Sequence, residues 1–277
     1  MAELRKGSKA RALIVSVEKF QDPFVRNRAG AGIDRERLHR VLYKLGFDVT
    51  ITMDYSAEDI LQKYREESQR AHGSCFVSVL SSHGDDGLIY GADGKPVHLR
   101  NIYSMFTEKA CTALAGKPKI FFVQACRGMK LDDGVCVGEV ETDSCPAEHD
   151  FFSHYLAIPD DTAVHFSSSP DYGSFLRASG SAFLQTLCDL LHGDQKHWEL
   201  LRIMTHVNRL VALWFESKGA YGCKKQMPCF VSKLRHEVYP FSDRPSAESN
   251  PGPSENTSLS HSESLSTAVQ GQVPRPI

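Results

Sequence analysis

Lys119-Ile120-Phe121-Phe122-Val123-Gln124-Ala125-Cys126-Arg127-Gly128 decides how the rest of the chain is read. A second apolar run, Cys75-Phe76-Val77-Ser78-Val79-Leu80, closes on Ser81-Ser82-His83-Gly84. Short continuous apolar runs ending in turn residues fit strands buried on both faces of a parallel sheet. Each run carries one reactive side chain just past its C-terminal end, where open α/β sheets bind ligands. A thiol and an imidazole on neighbouring strand ends form a nucleophile–base pair. An isolated Cys and His are more often an inert buried thiol and a loop histidine, so the flanking residues matter.

Outward from these runs, strands and helices alternate. Residues 11–17 read as a strand, and Phe20 to Ile33 as a loop rich in turn-forming residues. Asp34 opens a helical run in which Leu38, Val41, Leu42 and Leu45 recur at spacings of three and four, until Gly46 stops it. Phe47 to Ile51 is a strand; Ser56-Ala57-Glu58-Asp59 is a capping box ahead of a helix with Ile60, Leu61 and Tyr64 on its apolar face. A hairpin around Ala92-Asp93-Gly94-Lys95 and a short helix near Ile102 to Phe106 precede the Cys126 strand. Beyond it, Thr162 to Ser167 is a strand, 181–191 and 199–215 are helices, and Cys229-Phe230-Val231-Ser232 is a last short strand. This order predicts an α/β fold, a mostly parallel central sheet flanked by helices and built from right-handed crossovers.

The expected division is a short N-terminal segment over 1–10, one catalytic domain over 11–241, and a Ser/Pro-rich tail over 242–277. The tail has no aromatic residue or cysteine and is expected to be disordered, since it lacks side chains whose burial would offset ordering entropy. Residues 129–160 read as an acidic linker, with Asp132, Asp133, Glu139, Glu141, Asp143, Glu148 and Asp150. Linkers this long are commonly functional or disordered.

Composition narrows the functional classes. A net charge of -2 does not suit a protein that tracks a nucleic-acid backbone. No apolar run is long enough to span a membrane, and Met1 to Gly7 has no following signal-peptide core. The 8 cysteines include no Cys-x-x-Cys pair, which points to free thiols in a reducing, cytoplasmic compartment. Cys136, Cys145 and His149 lie close together, but their spacing does not fit a zinc knuckle. No metal or cofactor is expected. A nucleotide-binding regulator is disfavoured because neither a Gly-x-Gly-x-x-Gly nor a Gly-x₄-Gly-Lys-[Ser/Thr] loop is present.

Gln124-Ala125-Cys126-Arg127-Gly128, with His83-Gly84 upstream, resembles the active-site signature of caspases. The similarity runs from about Arg11 to about Phe241. It includes Gly116-Lys117-Pro118-Lys119, Thr142-Asp143-Ser144, Phe183-Leu184-Gln185-Thr186-Leu187-Cys188, Val207-Asn208-Arg209 and Lys225-Gln226-Met227-Pro228-Cys229. The resemblance, closest to short-prodomain executioner types, implies the caspase-haemoglobinase-like fold and an aspartate-specific cysteine endopeptidase made as a zymogen. Cys126 would be the nucleophile and His83 its acid–base partner. The backbone amides of Gly84 and Cys126 would form the oxyanion hole, and a backbone carbonyl would orient the histidine.

Arg28, Gln124 and Arg177 are the polar candidates for the pocket that receives the P1 residue, the one preceding the cut. Gln124 lies two residues before Cys126, so strand alternation puts both on one face. A guanidinium offers a planar fork of donors to a carboxylate. Ser174 and Phe175 belong to the same substrate-binding segment, Phe175 standing where the family carries a tryptophan. The sequence departs from the family pattern here. Ser174-Phe175 is followed by Leu176 and only then by Arg177, in place of Ser-Trp-Arg. One extra residue reverses the facing of an extended strand. Either a bulge returns Arg177 to the pocket or Leu176 occupies that place; the bulge is the expectation adopted.

Asp143, followed by Ser144, is the expected processing site, cut by an upstream activating protease because no recruitment domain precedes Arg11. Cutting there separates a large-subunit region, 11–143, from a small-subunit region, 144–241. The resemblance implies that two such pairs assemble, with the strand near Phe230 at the two-fold interface, and that protein substrates are cut after Asp in apoptosis or a related cascade. The alternative is a weakly active or inactive homologue that regulates other caspases by binding them.

Overall fold

The computed structural model describes residues 9–132, 157–218 and 222–242. Asp143, Cys136, Cys145, His149 and nearly all of the tail lie outside the described residues.

Five parallel strands and one antiparallel strand form the central sheet. They are β1 (Arg11–Ser16), β2 (Asp48–Met53), β3 (Phe76–Ser81), β7 (Lys119–Gln124), β8 (Thr162–Phe166) and β11 (Cys229–Ser232), in the order β11-β8-β7-β3-β1-β2. The exception to parallel pairing is β11, which runs antiparallel to β8 at one edge. A small second sheet joins β4 (Gly84–Asp85), β5 (Leu88–Tyr90) and β6 (Pro96–His98). A two-residue hairpin pairs β9 (Leu176–Arg177) with β10 (Gly180–Ser181).

Alternation along the buried strands divides the core into two. Ala12, Ile14, Val77, Val79, Ile120 and Phe122 face one way, onto α1 (Ala31–Lys44), α4 (Ala182–His192) and α5 (Leu200–Trp214). Leu13, Val15, Phe76, Leu80, Phe121 and Val123 face the other way, onto α2 (Ala57–Ser68) and α3 (Leu99–Ser104). This is why those runs read as continuously apolar: both faces are covered.

Local chemistry sets the helix starts. The Ser56 Oγ accepts from the Asp59 amide at 3.2 Å, the N-cap half of the box ahead of α2, and the Asp59 carboxylate takes the Ser56 hydroxyl at 2.6 Å instead of the Ser56 amide. Helix α1 begins three residues before the predicted Asp34, because Gly30 at φ 102 supplies a left-handed entry that other residues rarely adopt. The short helix also lies earlier than predicted, at Leu99–Ser104.

Candidate active site

Register places the reactive pair. β3 and β7 are neighbours at the centre of the sheet, and Ser81 pairs with Gln124 at their aligned C-terminal ends. The Ser82 amide then donates to the Gln124 carbonyl at 3.2 Å. His83 and Cys126 each follow the last paired residue of their strand by two positions, so both stand above the same sheet edge.

Gly84 closes the gap between them. A Cβ there would lie 2.6 Å from the Leu88 carbonyl oxygen, 2.9 Å from the Ala125 Cβ and 3.2 Å from the Cys126 carbonyl oxygen. Only glycine lets the histidine turn approach the nucleophile's backbone so closely.

The His83 Nε2 is 2.7 Å from the carbonyl oxygen of Arg26. A carbonyl only accepts, so Nε2 carries the hydrogen and the neutral ring's lone pair is on Nδ1. The Phe20 ring packs on the imidazole at a centroid separation of 4.9 Å. Burial lowers the His83 pKa and nearby Arg28 and Arg26 repel a second positive charge, while the Arg26 carbonyl opposes the shift. The ring is therefore held neutral, as a base must be before it accepts a proton.

Cys126 is half-buried. Its Sγ accepts from the Ser174 amide at 3.4 Å and lies 3.6 Å from the Ser174 carbonyl oxygen. Burial pushes Cys75 up to about 11 and Cys188 up to about 12, so both stay protonated and inert.

Arg28 and Gln124 come together at the paired strand ends, Arg28 bonding Ser81, the register partner of Gln124. Arg28 is buried, donating Nη1 to the Val17 carbonyl at 2.7 Å and Nη2 to the Ser81 Oγ at 3.0 Å. Among the described residues no carboxylate is within ion-pair distance of it. Burial pulls its pKa down to about 10, against the longer-range attraction of Asp34, Cys126 and Glu18. Gln124 is also buried; its Nε2 donates to the Ser174 Oγ at 2.8 Å, and its Oε1 has no partner.

Arg177 departs from expectation. No bulge returns it to this group. Its guanidinium stacks over the Phe215 ring, with the central carbon 4.7 Å from the centroid, and donates to the Glu216 carbonyl. Phe175 packs on the same ring at 5.2 Å. The segment keeps the alternation of an extended chain, so Arg177 points with Phe175 rather than with Ser174.

Several residues at the site were not singled out from sequence. Arg127, inside the signature itself and next to Cys126, is buried. It donates Nε to Asp86 at 3.1 Å and Nη1 to the Ser168 carbonyl at 3.0 Å, and stacks on Phe166 at 4.1 Å. Gln226 accepts the Phe175 amide at 2.9 Å and donates to the Ser167 carbonyl at 2.8 Å. Asp34 accepts the Ser181 amide at 3.0 Å and the Gln185 side chain at 2.6 Å. Arg127 and Gln226 lie in quoted motifs, but spacing alone assigns them no partner. Concavities of about 630 Å³ beside Trp198 and about 530 Å³ beside Arg11 lie elsewhere and include neither Cys126 nor His83. No group of three or more potential metal ligands occurs among the described residues, and none of their helices is long and apolar enough to cross a membrane.

Comparison with known proteins places this geometry in a family. The family model described as "Caspase domain" matches residues 9–239. The chain is 37% identical to caspase-3 of Xenopus laevis over 83% of its own length and 79% of the relative's. It is 35% identical to the Drosophila melanogaster caspase drICE, covering 87% of the chain and 72% of that protein. The crystal structure of caspase-1 from Spodoptera frugiperda superposes with a TM-score of 0.73 at 30% identity, over 83% of this chain and 90% of that one.

Proposed function

Because this chain belongs to the caspase family of thiol proteases, we propose that it is an active cysteine endopeptidase that cuts proteins after aspartate. The observation that carries the specificity is Arg28, a buried guanidinium with no carboxylate partner among the described residues, beside the unpartnered Oε1 of Gln124. A buried cation is costly unless paired. A substrate carboxylate would pair it.

The chemistry follows from the dyad. The Cys126 thiol passes its proton to His83 Nδ1, and the thiolate attacks the scissile carbonyl carbon. The carbonyl π electrons move to oxygen, where the amides of Gly84 and Cys126 donate to the oxyanion. The tetrahedral species collapses as His83 gives its proton to the leaving amine, leaving a thioester on Cys126. Water, deprotonated by His83, then attacks the thioester and releases the acid product, and the thiol is regenerated. The Arg26 carbonyl holds the ring by its Nε2–H throughout and steadies the imidazolium.

The chain is a zymogen on this reading, cut after Asp143 by an upstream protease, and works in the cytoplasm in apoptosis or a related cascade. Two large/small pairs associate through the free edge of β11. A second reading, a weakly active homologue that regulates other caspases by binding, draws on the displacement of Arg177. Hydrolysis of fluorogenic tetrapeptides differing only at P1 separates the two. Turnover of the Asp peptide by wild type and not by Cys126→Ala supports the enzyme; no turnover after cleavage at Asp143 favours the binding protein.

A further inference from the structure

Leu176–Arg177 pairs antiparallel with Gly180–Ser181, and side chains along a strand alternate between faces. Phe175 and Arg177 share the face that packs on Phe215. Ser174 lies on the opposite face, its Oγ 2.8 Å from the Gln124 Nε2. Leu176 shares the parity of Ser174 and is half-buried. The Arg28 loop presses on the same stretch: a Cβ at Gly30 would fall 2.0 Å from the Arg177 carbonyl oxygen.

Resting on the peptidase reading above, we propose that Leu176, not Arg177, walls the pocket into which Arg28 and Gln124 open. The P1 side chain then meets one guanidinium, one amide and one apolar surface. Arg28 keeps its Nε–H and one further hydrogen on each terminal nitrogen for the substrate. The Ser174 hydroxyl both donates and accepts, so the Gln124 amide can turn and offer its NH₂ to a carboxylate. Discrimination of aspartate from its uncharged isostere asparagine rests on a single cation. The pocket prefers Asp but tolerates Asn more than one built with two guanidiniums.

Asp:Asn ratios of kcat/KM are measured on the full chain after activation, with tetrapeptide coumarins identical except at P1. Protection of Cys126 from iodoacetamide by the matching Asp and Asn peptide aldehydes gives a second readout that does not need turnover. Arg177→Ala, an exposed position, should change the ratio by less than about twofold. Leu176→Arg should raise it about tenfold, the effect of one added charge-assisted hydrogen bond. If Leu176→Arg does not fold, Leu176→Lys serves the same purpose, and the Arg177→Ala ratio still decides. A ratio that collapses in Arg177→Ala, or stays unchanged in a folded Leu176→Arg, overturns the assignment of Leu176 while leaving the peptidase intact. A wild type that cuts no peptide and is protected by neither aldehyde removes the peptidase reading, and this inference with it.

Discussion

Two stretches meet at Cys126 and are held there in different ways. The strand ends carrying His83 and Cys126 are positioned by the backbone ladder between β3 and β7, in a register that runs unbroken from Phe76–Lys119 to Ser81–Gln124. Residues 174–181 have only a two-residue hairpin of their own. Side chains hold them instead: Gln226 grips the Phe175 amide, Asp34 grips the Ser181 amide, and Phe215 stacks between Phe175 and Arg177. A ladder locked by buried strands leaves little freedom of register, because a slip would turn each apolar face to the wrong side. A segment held by a few side chains can gain a residue and turn a different group toward the substrate. On the proposed reading, His83, Cys126 and Gln124 are all placed by the strand ladder, and residues 174–177 are the wall of the pocket that side chains hold.

The largest expected effect strikes the part placed by the ladder. Cys126→Ala should lower peptide hydrolysis by at least about a thousandfold, since no other group can form the thioester, with an unchanged circular dichroism spectrum. Turnover by the purified variant within about tenfold of wild type would remove Cys126 as the nucleophile. Gly84→Ala comes next. Its methyl would collide with the Leu88 carbonyl and Ala125, displacing one oxyanion donor, and kcat should fall by about a hundredfold or more. A stopped-flow rate within a factor of about two of wild type would show that the turn has room the structure denies it.

Arg28→Ala should cost about a hundredfold in kcat/KM for a P1 Asp peptide and much less for P1 Asn. Equal losses on both peptides would assign Arg28 a structural role. Asp34→Asn sharpens the contrast between the two stretches. Burial raises the Asp34 pKa while its hydrogen bonds with Gln185 and Ser181 oppose the shift, and the amide cannot accept as many bonds. KM should rise about tenfold as the hairpin loosens, while the rate of Cys126 alkylation by iodoacetamide stays at the wild-type value. A matching fall in alkylation would mean that the hairpin also sets the nucleophile.

The smallest effect on catalysis is expected at His165. This histidine on β8 is fully buried against Phe183 and Phe230, with Nε2 bonded to Asn208 at 2.7 Å. Burial lowers its pKa from 6.5 to about 4. The unfolded chain therefore binds a proton between those values that the folded protein refuses, and stability falls as pH drops through that window. Integrated, the loss is on the order of 3 kcal/mol. His165→Phe should flatten the dependence of Tm on pH from 6.5 to 4 and leave activity at neutral pH unchanged. An undiminished slope would place the acid sensitivity elsewhere, His72 and His83 being the other histidines with lowered pKa values.

Features that depend on periodicity and on short motifs were legible along the chain. Apolar runs leading to His83 and Cys126, and helical spacing at Leu38, Val41 and Leu42, follow from burial on one or both faces of an element, which local pattern records directly. The signature around Cys126 likewise marked Cys126 and His83 as the candidate dyad. Tertiary structure alone decided what depends on residues far apart in the chain. It showed that the Arg26 carbonyl bonds the His83 ring, that Arg28 reaches Ser81 and Val17, and that Arg127 bonds Asp86. It also placed Arg177 on Phe215, where the sequence allowed either a bulge that returns Arg177 to the pocket or Leu176 in that place. The outcome turned on Phe215 and Glu216, which offer the guanidinium an aromatic face and a carbonyl some forty positions along the chain. No local pattern around residue 177 contains that information, because the competing partners meet only once α5 has packed on the sheet.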